Sequence, residues 1–268
     1  MQWSRLKPKR PHVWIYRVAM NHFLSVVIPA YNEERNLKKG VLEAVYSSLT
    51  KQKYSWEVLI VDDGSTDGTN EISKEFVKTH NGFKVMVEPH RGKAGTVIAG
   101  MLAASGEIVL FTDMDQATPI GEIEKFLPKF TQGYDIVIGS RSGRRGANVV
   151  RKTMAYGFMI LRTLILRLPY VDTQCGFKAF RKEVIKPITN KVKVFRGRTE
   201  EGSAVTAGFD LEILYIARKL GFKIAEVSVE WEEKGERGDF GVNPLKDSWE
   251  GLIDLMHVRI NASKGLYK

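Results

Sequence analysis

The chain has 268 residues, 43% apolar and 27% charged, which suits one large α/β domain or two small ones with an ample core. Its formal net charge of +10 favours an anionic partner such as a nucleotide, a phosphate, a nucleic acid or an acidic membrane surface. The single cysteine, Cys175, excludes an internal disulfide and fits a reducing compartment.

Residues 1–22 read as a basic, irregular arm with no continuous apolar run and no small-residue cleavage site, so no secretory signal is expected. "FLSVVIP" reads as a buried strand ending at Pro29, and "EERNLKKGVLEAVYSSL" as one helix with Leu37, Val41, Val45 and Leu49 at helical spacing. "WEVLIVDD" is a second strand, and "STDGTNEISKEFVKTH" a helix that Ser65 or Thr66 can cap. "FKVMVE", "AGTVIAGMLAAS" and "EIVLFTD" continue the alternation, Pro119 suits the first turn of a fourth helix, and "YDIVIGS" is a fifth strand.

Beyond residue 148 the pattern changes. A long apolar helix carries Arg151, Lys152, Arg162 and Arg167, and "VDTQCGFKAFRKEV" reads as a turn-rich link. "KVKVFRGRTEEGSAVTAG" is polar and expected to be mobile. "FDLEILYIARKLG" is an amphipathic helix, "KIAEVSVEW" a strand, "EEKGERGDFGVNP" a loop, and residues 246–261 a last amphipathic helix. No stretch reaches the roughly 18 apolar residues of a spanning helix. The long helix suits either a membrane interface, helped by the basic residues of 5–10, or a core position with its arginines snorkelling.

Short apolar strands alternating with helices predict an α/β fold with a mostly parallel sheet covered on both faces, in which ligands bind beyond the carboxyl ends of the strands. Those ends hold the chemistry. Asp113 and Asp115 stand one residue apart, so an extended backbone aims both at one spot. Two hard oxygen donors there suit Mg²⁺ or Mn²⁺, although a helix cap with a solvated acid would read the same. Asp62 and Asp63 end the second strand, where they suit a base N–H or ribose hydroxyls as well as a plain capped turn. Arg91 and Lys93 precede a helix N-terminus and suit either an anion or solvent. Neither a P-loop nor a dinucleotide G-x-G-x-x-G is present. No motif or aromatic-basic interleaving supports a nucleic-acid partner.

Taken in order, "SVVIPAYNEERNL", "VLIVDDGSTDGT", "HRGKAGTVIAGMLAASGEIVLFTDMD", "VIGSR", "DTQCGFKAF" and "FDLEILYIARKLGFKIAEVSVEW" resemble family 2 glycosyltransferases of the GT-A fold. The likeness is strongest to the polyprenyl-phosphate (dolichyl-phosphate) sugar transferases, the β-glucosyl branch being nearer than the mannosyl branch. It runs from about Phe23 to Trp231. It implies a single GT-A catalytic domain over 23–231, preceded by the arm at 1–22 and followed by a C-terminal loop and helix over 232–268.

The resemblance further implies that Pro29, Tyr31, Glu33, Asp62, Asp63, Lys93, Asp113 and Gln116 bind the nucleotide-sugar donor. Asp113 and Asp115 would hold the metal, with Asp115 the direct ligand. Arg141, and after the last strand Arg237, would meet an acceptor phosphate. Asp210 would serve as a base for a hydroxyl acceptor or would orient the sugar; as a plain structural residue it would cap a helix beside Gly208. Met114 and Gln116 depart from the family's usual Ala and Gly or Leu. The implied reaction is inverting transfer of a hexose, from UDP-glucose first and GDP-mannose second, to a polyprenyl or dolichyl phosphate, with a hydroxyl acceptor as the alternative. The implied place is the cytoplasmic face of a membrane, in peripheral contact. Oligomeric state is not fixed by the sequence.

Overall fold

A computed structural model describes residues 22–141, 149–193, 207–232 and 244–267. The arm at 1–21, the segments at 142–148, 194–206 and 233–243, and Arg237 with them, lie outside the described residues.

Among the described residues, seven strands form one sheet: β1 (Leu24–Ala30), β2 (Trp56–Asp62), β3 (Phe83–Val87), β4 (Ile108–Phe111), β5 (Ile136–Ser140), β6 (Lys178–Arg181) and β7 (Ile224–Ser228), in the order β3-β2-β1-β4-β6-β5-β7. All neighbours are parallel except β6, which runs antiparallel to both β4 and β5. Alternate side chains of the central strands enter two separate cores. Val27, Val61, Val109 and Phe111 face one, while Val26, Ile28, Ile60 and Leu110 face the other. Each fully buried aliphatic side chain contributes about 1.5–3 kcal/mol, so this two-sided burial is what holds the sheet.

The helices are α1 (Glu34–Lys38), α2 (Val41–Leu49), α3 (Thr69–Thr79), α4 (Gly92–Ala103), α5 (Leu127–Thr131), α6 (Val149–Leu166), α7 (Lys182–Thr189), α8 (Ala207–Lys219) and α9 (Pro244–Ser263), with a 3₁₀ turn at Ile120–Lys125 after Pro119. Residues of α2 and α3 line the core that holds Ile60, and residues of α4, α7, α8 and α9 line the one that holds Val61.

Three expectations are corrected. The stretch 33–49 is two helices, because Gly40 adopts φ +78°, a conformation that breaks the helical path and suits a residue without Cβ. Strand β1 runs through Pro29 to Ala30. Pro29 lies past Val27, the last residue of β1 paired with β4, so its missing N–H breaks no rung of that ladder. The supposed link at 171–184 contains β6 and the start of α7. With four residues, three of them buried, β6 is too short to show alternation, and it is recognised only through its pairing on both sides.

Candidate active site

The carboxyl ends of β1, β2 and β4 and the amino end of β6 meet at one edge of the sheet. Because β6 is reversed, its first residue, Lys178, pairs with Phe111 and Ile138, close to where β4 and β5 finish.

On the β1–β2 side the chain is tied down by its own side chains. Asn32 takes φ +54°, tolerated by its short polar side chain, and its Oδ1 accepts the Thr66 N–H at 2.9 Å. Asp62 is buried; its Oδ1 accepts the Ser65 hydroxyl at 2.5 Å and its Oδ2 accepts Asn70 Nδ2–H at 2.7 Å. Asp63 is buried as well, with Oδ1 accepting the Arg91 N–H at 2.8 Å and Oδ2 2.9 Å from His90 Nδ1. Both acids hold their loops in shape. The half-exposed Tyr31 ring stacks on His90, with centroids 4.3 Å apart.

Glu33 accepts from Asn36 Nδ2 at 2.5 Å. Burial lifts its carboxyl to about 7, and the charges of Asp115 and Asp113 add to the rise against the lowering pull of Asn36 and Lys93. Glu33 therefore senses the same electrostatic centre as the two aspartates.

At the end of β4, Lys93 Nζ sits 2.5 Å from Asp113 Oδ1. Burial works against the ammonium, but Asp113 outweighs it and holds Lys93 above its ordinary value. A Cβ at position 176 would lie 2.0 Å from Asp113 Oδ2, so Gly176 is what lets the 172–177 turn close over this carboxylate. Asp115 Oδ1 accepts the Ala117 N–H at 3.0 Å. Gln116 turns through φ +49° and donates from Nε2 to the Asp113 carbonyl at 2.8 Å. Its buried Oε1 has no hydrogen-bond partner among the described residues.

Whether these residues fit a divalent ion turns on the donor set. Among the described residues no three His, Cys, Asp or Glu side chains cluster as a cage. Asp113 already shares one oxygen with Lys93, which leaves Asp115 as the less committed carboxylate. Such a pair fits a hard cation that takes one or two carboxylates and fills its shell with phosphate oxygens and water, as Mg²⁺ and Mn²⁺ do.

A second pair of charges lies behind the first. Lys178 Nζ is 2.8 Å from Asp210 Oδ1 at the start of α8 and also donates to the Cys175 carbonyl. Its aliphatic stem lies in the core, and its ammonium stands 5.3 Å from the centre of the Phe111 ring. Burial pushes the Asp210 carboxyl up, and Lys178 and then Lys93 pull it back without overcoming the rise. Asp210 thus lies within electrostatic reach of Lys93 and Asp113.

Arg141 follows β5. Its Nε and Nη2 donate to Asp172 at 2.6 and 2.9 Å, a bidentate pair that fixes the guanidinium plane. The carboxyl of Asp172 is held at about 2, the Arg141 bonds prevailing over burial. Asp172 is anchored in turn, because Glu226 of β7 accepts the Val171 and Asp172 N–H groups at 2.9 and 2.7 Å. The indole of Trp231 lies 5.8 Å from the guanidinium.

Sequence reasoning missed Lys178, Asp172, Glu226 and His90 as parts of this site. A lysine inside the apolar run "CGFKAF" was the one visible signal, since such a charge is rarely buried without a partner.

The mostly parallel sheet with one reversed strand, its paired aspartates lying past a central strand, has the GT-A fold. Among solved structures, mannosyl-3-phosphoglycerate synthase from Rubrobacter xylanophilus is similar with a TM-score of 0.61 at 16% identity, over 93% of this chain and 77% of the other. Glucosyl-3-phosphoglycerate synthase from Mycobacterium tuberculosis, in complex with Mn²⁺, UDP and glucosyl-3-phosphoglycerate, matches with a TM-score of 0.55 at 23% identity, over 89% of this chain and 80% of the other. The chain belongs to glycosyl transferase family 2, whose model matches residues 25–189. It is 32% identical to dolichyl-phosphate β-glucosyltransferase of Dictyostelium discoideum over 92% of this chain and 77% of that protein. The Homo sapiens enzyme of the same name is also 32% identical, over 91% of this chain and 77% of its own length.

Proposed function

We propose that this glycosyltransferase moves a hexose from a nucleotide sugar, UDP-glucose in the first place and GDP-mannose in the second, to a polyprenyl or dolichyl phosphate, inverting C1. The observation that carries the reading is the run of relatives named dolichyl-phosphate β-glucosyltransferase, similar across nine-tenths of the chain.

The chemistry of the site agrees with it. Asp115 and Asp113 would hold a divalent ion, which when bound neutralises the charge gathering on the leaving diphosphate. Lys93 keeps Asp113 oriented and adds a cation to the same spot. Tyr31, Glu33, Asp62, Asp63 and Gln116 stand along the donor side, with the unpaired Oε1 of Gln116 able to accept from a sugar hydroxyl. A lipid phosphate is already an anion at neutral pH, so it needs cations to hold it in line and no base to deprotonate it. Asp172 engages two of the five N–H groups of Arg141, which pre-sets the guanidinium for such a clamp. Arg237 would share the task.

A hydroxyl acceptor remains the second reading, favoured by the burial that raises Asp210. A base poised nearer neutrality is what a hydroxyl would require. The test offers UDP-glucose and GDP-mannose with a polyprenyl phosphate and without it, in the presence of Mn²⁺. Formation of sugar-lipid is the expected result. Transfer only to a soluble hydroxyl acceptor would replace the first reading with the second.

A further inference from the structure

Between the end of α6 and the start of β6 the chain runs through residues 167–177 without helix or strand. This stretch nevertheless carries Asp172, whose carboxylate orients Arg141. A segment without a regular ladder keeps one shape only where other groups hold its polar atoms. Glu226 of β7 accepts the N–H groups of Val171 and Asp172. Arg162 of α6 takes the neighbours on either side of that pair. Its Nη1 donates to Thr173 Oγ1 at 3.0 Å, and its Nη2 donates to the Tyr170 carbonyl.

Arg162 is a costly residue at this place. It is buried, and its Nε has no hydrogen-bond partner among the described residues. Burial pulls its guanidinium below the ordinary value, and Asp172 and then Glu226 pull it back without overcoming the fall. A buried cation with an unmet donor costs stability that an aliphatic side chain in the same position would not. Packing alone therefore does not account for an arginine here. What an aliphatic residue could not supply is the reach to Tyr170 and Thr173, and a positive charge toward two carboxylates. Asp172 and Glu226 bring two negative charges to the turn, and Arg141 answers one of them. Lys178 also acts on Asp172, but its ammonium is paired with Asp210. Arg162 supplies the second cation.

We propose that Arg162 is a positioning residue for the acceptor clamp. From α6 it fixes the 170–173 segment, so that Asp172 presents the Arg141 guanidinium in one orientation before an acceptor phosphate arrives. The Arg141 backbone N–H also donates to Asp172 Oδ2, at 3.1 Å, so a displaced Asp172 would disturb both the side chain and the main chain at the end of β5. Being buried, Arg162 acts through Asp172 and Arg141, and its effect is to lower the ordering cost of acceptor binding. The inference rests on the proposed role of Arg141 toward a phosphate acceptor and extends it to a residue on another element.

Two variants of the full chain test it. Arg162→Lys keeps the charge and loses the planar fork, whereas Thr173→Val keeps nearly the same shape and removes one partner. With UDP-glucose, Mn²⁺ and a polyprenyl phosphate, Arg162→Lys should raise the acceptor KM by roughly fivefold and Thr173→Val by roughly threefold, about the effect of one weakened hydrogen bond. The kcat and the Kd for UDP should stay within about twofold of wild type. On an Arg141→Lys background, Arg162→Lys should add less than about twofold, because the grip it supports is already gone. An additive rise on that background, or an unchanged acceptor KM in folded variants, would overturn the proposal. So would equal losses for UDP and acceptor, which a general loosening of the fold produces. Hydrogen exchange with no donor or acceptor present reads the same role without turnover. The amides of Val171, Asp172 and Arg141 should exchange faster in both variants while those of β1 and β2 keep their rates. Unchanged exchange would overturn the positioning role even if turnover falls. Sugar transfer only to a hydroxyl acceptor would overturn the proposed reaction instead, and the exchange result would still decide whether Arg162 holds the clamp.

Discussion

Lys178 Nζ and Asp210 Oδ1 lie 2.8 Å apart although their residues are 32 positions apart in the chain, and the lysine side chain is 1% exposed. One charge comes from the first residue of a reversed strand and the other from the first turn of α8. Each makes the other's burial tolerable, since an isolated charge at that depth would be strongly disfavoured.

Breaking this pair from one side should cost far more than removing it whole. Lys178→Met is expected to lower unfolding stability by about 3–5 kcal/mol, because Asp210 is left without its partner. Lys178→Met with Asp210→Asn should recover most of that loss. Urea unfolding of the two variants and wild type reads the difference, and additive losses would show that the pair is not coupled.

Asp115 has a single described bond, from the Ala117 N–H, so the fold leans on it little. Asp115→Ala should abolish turnover across a Mn²⁺ titration while changing unfolding stability by less than about 1 kcal/mol. Retained turnover would remove Asp115 from the metal site.

Arg141 allows a split between acceptor and donor. Arg141→Lys keeps the charge but loses the bidentate grip on Asp172. We expect the KM for a polyprenyl phosphate to rise by roughly tenfold or more, one charge-assisted hydrogen bond or so, with the Kd for UDP nearly unchanged. Equal effects on both would argue against an acceptor clamp.

Glu33 should make the metal-free protein sensitive to pH. Its folded carboxyl titrates near 7, against an ordinary value of 4.5. Between those values the folded state holds a proton that the unfolded state has lost. The Glu33 contribution to stability is therefore fully present below about 4.5 and is lost as pH rises through 7. Glu33→Gln should flatten this part of the profile, measured as melting temperature against pH in the presence of a chelator. A wild-type profile already flat between these values would contradict the raised carboxyl.

The strand ends were legible because apolar runs of β-branched residues stop at acids, as at "VLIVDD" and "IVLFTD". Asp113 and Asp115 could be singled out by residue type and position, Asp210 only through the family resemblance, and the fold brings all three near Lys93. Asp62 and Asp63 were legible as strand-end acids, but their bonds to Ser65, Asn70, Arg91 and His90 depend on loops whose closure no spacing encodes. Lys178 and Asp172 escaped notice for a related reason. A four-residue strand leaves no period to read, and a buried ion pair depends on a partner dozens of residues away. Likewise, the bend at Gly40 depends on a backbone angle, while the apolar positions on either side of it continue the same helical spacing.

The reversal of β6 has a consequence for how such a site can change over time. Glu33, Asp62, Lys93 and Asp115 all come from segments that leave strands, and all precede residue 117. Asp172, Gly176 and Lys178 come from a segment that is about to enter one. The two sets occupy separate stretches of the chain yet share one edge of the sheet. Insertions or exchanges between β5 and β6 can therefore remodel one wall of the cleft while the ladder from β3 to β4 keeps its register. Antiparallel pairing turns a single sheet edge into two independently variable inheritances.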